Sequence, residues 1–152
     1  MSINTAIRLF AITASYLLVS PSNAQMNHLG DFALLDSKGQ FHQLTRYSDM
    51  DGVLLYVNQD NCELSDWAVS HLASFTSNFR DSIPLLALNN GSLTRSVERL
   101  SDRNIPVLLD ESGYIFQALN LSKGGALLLL DPATLEYGEL SKEFAGALRI
   151  FN

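Results

Sequence analysis

Cys62 is the only cysteine among 152 residues, and it stands in "NQDNCELSDW" with Ser65 three positions on and Trp67 five. A thiol attacks disulfides or peroxides only as its thiolate, so its worth depends on what ionises it. An apolar run, "GVLLYVN", stops shortly before the cysteine, and apolar residues at helical spacing follow it. Read as a strand and then a helix, this predicts the sulfur on the first turn, with Asp60 or Asn61 as N-cap. Unpaired backbone N–H groups at such a terminus stabilise an anion. The local charges oppose that effect: Asp60, Glu63 and Asp66 surround the thiol, and no Lys or Arg stands within a helical turn. Cysteine is also among the residue types most often buried, where it behaves as a small hydrophobe. The residues alone leave both readings open, a working nucleophile and an inert packed thiol. Trp67 is read as core packing ahead of a binding surface.

Other candidates carry less. His28, His42 and His71 show no metal-ligand spacing with one another or with Cys62. His71 lies nine residues along the same predicted helix, roughly 14 Å away at 1.5 Å per residue, and reads as an ordinary surface or half-buried histidine. Asp110 and Glu111 follow an apolar run, and a solvated helix cap accounts for them as well as chemistry does. No phosphate-binding glycine loop, serine-nucleophile elbow or paired-histidine helix is present. No cofactor or metal is expected. The formal charge is −6 with Lys and Arg scattered, which argues against nucleic acid as a partner because such binding needs a basic footprint.

The first 24 residues have the layout of an export signal. Arg8 precedes an apolar stretch from Leu9 to Val19, Pro21 breaks it, and Ser22 and Ala24 supply small residues at the −3 and −1 positions of a cleavage site. The stretch is shorter than the roughly 20 residues that span a bilayer. The expectation is a signal peptide over 1–24 and a mature domain over 25–152 beginning at Gln25, exported to the periplasm or secreted, without stable membrane insertion after cleavage. Retention as an uncleaved anchor is the alternative. No cysteine stands directly after the apolar stretch, so a lipoprotein anchor is not expected. In an oxidising compartment one cysteine closes no internal disulfide, so the thiol is inert, paired with another chain, or part of a site.

The elements that would position the thiol follow from hydrophobic periodicity. "DFALLDSKGQFHQL" predicts a β-hairpin turning at "DSKGQ". "GVLLYVN" predicts a strand buried on both faces, and Leu64, Ala68, Leu72, Phe75 and Phe79 predict a helix over about 62–79. "IPLLALNN", "IPVLLD" and "GGALLLLDP" predict three further strands. Between them fall a helix carrying Leu93, Val97 and Leu100, capped by Ser92, and a short helix over 114–119. "LEYGEL" predicts an antiparallel edge strand, and "SKEFAGALRIF" a final helix capped by Ser141 with Phe144 and Leu148 inward. Alternating strands and helices imply an α/β fold with a mainly parallel sheet, but the last two strands are too close to be parallel. A βαβ unit followed by ββα is the thioredoxin-type arrangement.

The mature chain resembles the redoxin branch of the thioredoxin-like superfamily, which holds thiol–disulfide oxidoreductases and peroxiredoxin relatives. "GDFALLDSKGQFHQLTRYSD" resembles the N-terminal hairpin of that branch, and "GVLLYVNQDNCELS" its strand, turn and active-site cysteine. "IPVLLDESGYIFQALNL" and "LLLLDPATLEYGEL" resemble its later strand–helix segment and last hairpin. The resemblance implies a central mixed sheet flanked by helices with an N-terminal hairpin extension. It further implies thiol–disulfide exchange through Cys62 with Ser65 as hydrogen-bond donor to the sulfur. The partners would be protein thiols or disulfides, with a small thiol such as glutathione as reductant. Three departures matter. Ser65 replaces the second cysteine of Cys-x-x-Cys, so no internal disulfide can release a mixed-disulfide partner. Gln59 and Leu55 stand where peroxiredoxins carry threonine and proline, which argues against a one-cysteine peroxidase. Gly124 and Gly125 stand where the superfamily keeps a cis-proline; glycines there let a substrate or partner backbone approach. A catalytically silent module that binds a protein partner is the alternative reading.

Overall fold

The computed structural model describes residues 27–58, 66–90, 95–121 and 126–140. The expected signal segment, the connections around Cys62 and Ser92, the glycine pair and the expected final helix lie outside these residues.

The architecture grows from β4 (Val53–Asn58), all six residues of which are buried. Alternate side chains of a strand point to opposite faces. Val53, Leu55 and Val57 therefore enter one apolar layer, and Leu54 and Tyr56 the other. β4 pairs in parallel with β5 (Leu85–Asn89) and antiparallel with β7 (Ala126–Leu130). β6 (Val107–Leu109) extends the parallel side. β8 (Glu136–Glu139) and β1 (Asn27–His28) extend the antiparallel side, giving the order β1-β8-β7-β4-β5-β6. The mixed sheet is what the resemblance implies; the periodicity predicts a mainly parallel sheet, whereas only β4–β5 and β5–β6 are parallel, because β7 runs against β4 and β8 and β1 continue antiparallel beyond it. β8 is not the edge, however: two residues of β1 pair beyond it, and they are too few to leave a pattern.

One face is covered by α1 (Asp66–Phe79) and α2 (Arg95–Asp102). Val69 and Leu100 are buried against Leu54, Leu85, Ala87, Ile105 and Val107, and Leu72 and Phe75 pack beside them. The Thr76 hydroxyl donates to the carbonyl of Leu72 at 3.0 Å, which lets a polar side chain be buried in the helix. α2 ends where Asn104 turns left-handed (φ 59°), and the Ile105 amide donates back to the Leu100 carbonyl at 3.1 Å. That closure seats buried Ile105 beside buried Leu100.

The other face is covered by α3 (Tyr114–Leu119), through Ile115, Phe116 and Leu119, and by the N-terminal segment, through Leu29, Phe32 and Leu44. The predicted hairpin is present as β2 (Ala33–Leu35) and β3 (Phe41–Gln43), followed by a 3-10 turn over Leu44–Tyr47. Its turn is set by Asp36, whose Oδ1 accepts from the amides of Lys38 and Gln40 at 2.9 and 2.8 Å, with Gly39 at φ 76°. Among the described residues no helix is long and apolar enough to cross a membrane.

Because β4 is shared by both layers, truncation inside it cannot be absorbed at a surface. Leu55→Ala is expected to cost about 2–5 kcal/mol, read as a lowered urea midpoint with the denaturant slope unchanged.

Candidate functional site

Cys62 and Ser65 lie outside the described residues, as do Gly124 and Gly125. Trp67 stands on the first described turn of α1, but its side chain is outside what is described. The frame around them is defined. The connection bearing Cys62 leaves β4 after Asn58 and joins α1 at Asp66, while the connection bearing the glycines joins α3 to β7. Val57 pairs with Ala126, so the chain leaves β4 and enters β7 at the same end of the sheet.

That end is polar although it is buried. Asn58 and Asn89, the paired last residues of β4 and β5, are 1% and 2% exposed. A buried amide is costly unless hydrogen-bonded, and the Asn58 Nδ2 donates to the Asn89 Oδ1 at 3.0 Å. The Asn58 Oδ1 has no partner among the described residues. Asp110, just past β6, is fully buried and its amide donates to the Asn89 carbonyl at 2.9 Å. Its carboxylate accepts from the amides of Tyr114, Ile115 and Phe116 and from the Ser112 hydroxyl, at 2.9–3.1 Å. The helix-cap reading of Asp110 holds, with one correction: the cap is buried, not solvated. The carboxylate thus satisfies the three opening amides of α3 as well as the Ser112 hydroxyl, and Gly113 takes the left-handed turn (φ 68°) that brings them round. Glu111 is exposed.

No protein-family model matches the chain, and no curated protein sequence matches it. Solved structures do. The thioredoxin Etrx1, an exposed lipoprotein of Streptococcus pneumoniae, superposes with a TM-score of 0.60 at 16% identity, covering 80% of this chain and 99% of its own. Peroxidoxin BcpB of Mycobacterium tuberculosis gives 0.60 at 14% identity over 84% and 97%. A thiol:disulfide interchange protein of Bacteroides gives 0.59 at 12% identity over 83% and 88%. The fold is thioredoxin-like. The connection bearing Cys62 starts from the carboxyl end of β4, the end at which ligands gather in open α/β sheets in general.

A second constellation, unforeseen in the sequence, lies on the hairpin. The His42 Nε2 is 3.2 Å from the Asp36 Oδ2, and its Nδ1 is 2.7 Å from the Tyr47 hydroxyl. A carboxylate only accepts, so Nε2–H donates to Asp36, and in the neutral ring Nδ1 accepts from the Tyr47 O–H. The three residues span twelve positions with no motif spacing; only the hairpin register and the 3-10 turn bring them together. Burial pushes the Asp36 carboxyl up, but its bonds from Gln40, Lys38 and His42 and the nearby imidazole outweigh that and hold it below the ordinary carboxylate value. Burial, helped by the Asp36 charge and opposed by Arg46, pushes the Tyr47 phenol up. Among the described residues no group of histidines, cysteines and acids could hold a metal.

Asp31 and Asp131 are likewise held low. At Asp31 burial is outweighed by bonds from Gln43 and Thr45; at Asp131 the amides of Ala133 and Thr134 act first. All three carboxyls bind protons more weakly folded than unfolded, so their stabilisation is complete above the ordinary value of 3.8 and is lost as pH falls below it. The melting temperature should therefore drop on acidification below about pH 4, and Asp36→Asn should be less stable at neutral pH with a shallower acid slope.

Proposed function

We propose that the protein is an exported thioredoxin-fold protein that takes part in thiol–disulfide exchange through Cys62. The observation that carries this reading is positional: the sole cysteine of the chain falls in the connection from the carboxyl end of the central strand to α1. The Cys62 thiolate attacks one sulfur of a protein disulfide, forming a mixed disulfide and expelling the other sulfur as a thiolate. With Ser65 in place of a second cysteine, an external small thiol, as its thiolate, then attacks the partner's sulfur and returns the Cys62 thiolate. Each step makes one S–S bond and breaks one. Ser65 donates a hydrogen bond to the thiolate, the N–H groups opening the helix stabilise it, and the glycines at 124 and 125 admit the partner's backbone. The absence of a second cysteine and the acids around Cys62 favour a second reading, a silent module that binds a protein partner without sulfur chemistry.

The pH dependence of Cys62 alkylation in the native protein separates the two. Exchange requires reaction at or below the ordinary thiol pKa of about 8.5; a thiol inert until well above it sinks the exchange reading. Recovery of the same partner with Cys62→Ser as with the wild-type chain would establish the binding module instead. Export has its own readout. The protein purified from cell envelopes or medium should begin at Gln25 by intact mass, and a species retaining residues 1–24 would mark an anchor.

A further inference from the structure

The thiol reading makes no use of a cavity of about 440 Å3 between the β2–β3 hairpin and the corner where α2 turns into β6. Lys38, Arg46 and Arg80 all border it, three of the chain's ten Lys and Arg residues in a protein of net charge −6. Among the described residues the only ion pair is that of His42 with Asp36, so none of these three cations meets a carboxylate. Lys38 is committed elsewhere: its Nζ donates at 2.9 Å to the carbonyl of Ser101, in the last turn of α2. It thereby offsets the partial negative charge that a helix C-terminus presents to the cavity. The one carboxylate in the wall, Asp36, is already met by the Lys38 and Gln40 amides and the His42 ring. Among the described residues Arg46 and Arg80 are left with uncommitted guanidinium forks. Arg46 is held over the half-exposed Phe41 ring, 5.5 Å from its centroid, and Ile105 and Pro106 add apolar wall.

We propose that this cavity binds a small organic polyanion, its carboxylate or phosphate groups held by Arg46 and Arg80 and its carbon body against Phe41. The guanidinium fork matches both groups bidentately, which a lysine cannot do. The volume is that of a small-ligand pocket rather than of a macromolecular groove. The proposal is independent of Cys62.

Titration calorimetry of the wild-type protein at low ionic strength with citrate, and separately with inorganic pyrophosphate, tests it and shows which anion class is preferred. One-site binding to at least one probe is expected, weakened about tenfold or more by Arg46→Ala and by Arg80→Ala, and weakened by Arg46→Lys although the charge is kept. Arg95→Ala, an exposed cation of α2 that does not border the cavity, should bind as the wild type does. Circular dichroism confirms that each variant is folded. No saturable binding of either probe up to about 5 mM would overturn the proposal. So would equal weakening by Arg95→Ala, which would reduce the effect to general charge.

Discussion

Strand β4 has no face to give to solvent. Its six residues are buried, with β5 on one edge and β7 on the other, so both apolar layers and both halves of the sheet close on the same backbone. Such a strand must be apolar throughout, and it must end where the chain can again satisfy polar groups. Both demands are met within six residues: Val53 to Val57 are apolar or aromatic, and Asn58 is the first amide. The change from apolar to polar is therefore abrupt, and the only cysteine stands four positions after Asn58 in sequence.

The carboxyl ends of the parallel strands meet that demand differently. β4 and β5 end in asparagines that bond each other across the register, and β6 is followed by an aspartate that caps the next helix. Asp110 is saturated by its donors and has no lone pair to spare for a substrate. Asn58 is different, because its Oδ1 remains without a partner among the described residues while its neighbour bonds only the Nδ2. Of the three buried polar side chains at this end, Asn58 is the one whose hydrogen-bonding capacity is incomplete, and it adjoins the connection that carries Cys62.

The sequence discloses elements whose reason is local. The run of β4, the turn at Asp36–Gly39 and the 114–119 helix are each dictated by a few adjacent residues, and they stand where periodicity and turn chemistry put them. The sequence makes β8 an edge strand, whereas β1 lies beyond it, because β1 is two exposed residues with no alternation to read. Asp110 was legible as a cap but not as a buried one, since burial depends on how α3 packs rather than on the residues beside it. Metal-ligand spacing among the histidines and Cys62 does not reveal His42, because its partners are an acid six residues back and a phenol five residues on. The sequence marks the region of the thiol by one residue, and the described structure supplies the ends of the strands around it.

Asp36 ties the hairpin to everything else. Its backbone bridges Leu108 of β6, the Ser37 amide donates to the Val107 carbonyl at 2.8 Å, and the Ser37 and Ser101 hydroxyls bond at 3.1 Å. The same carboxylate holds its own turn and orients His42, which in turn engages Tyr47 at the end of the 3-10 segment. Arg46 is the residue before Tyr47, so its placement follows from that chain of contacts and not from any ion pair of its own. A surface arginine normally loses much side-chain entropy on binding an anion. Stacking on Phe41 and anchorage beside Tyr47 restrict Arg46 in advance, which reduces that cost. A turn aspartate that first serves the fold thus also pre-organises the cationic wall of the cavity.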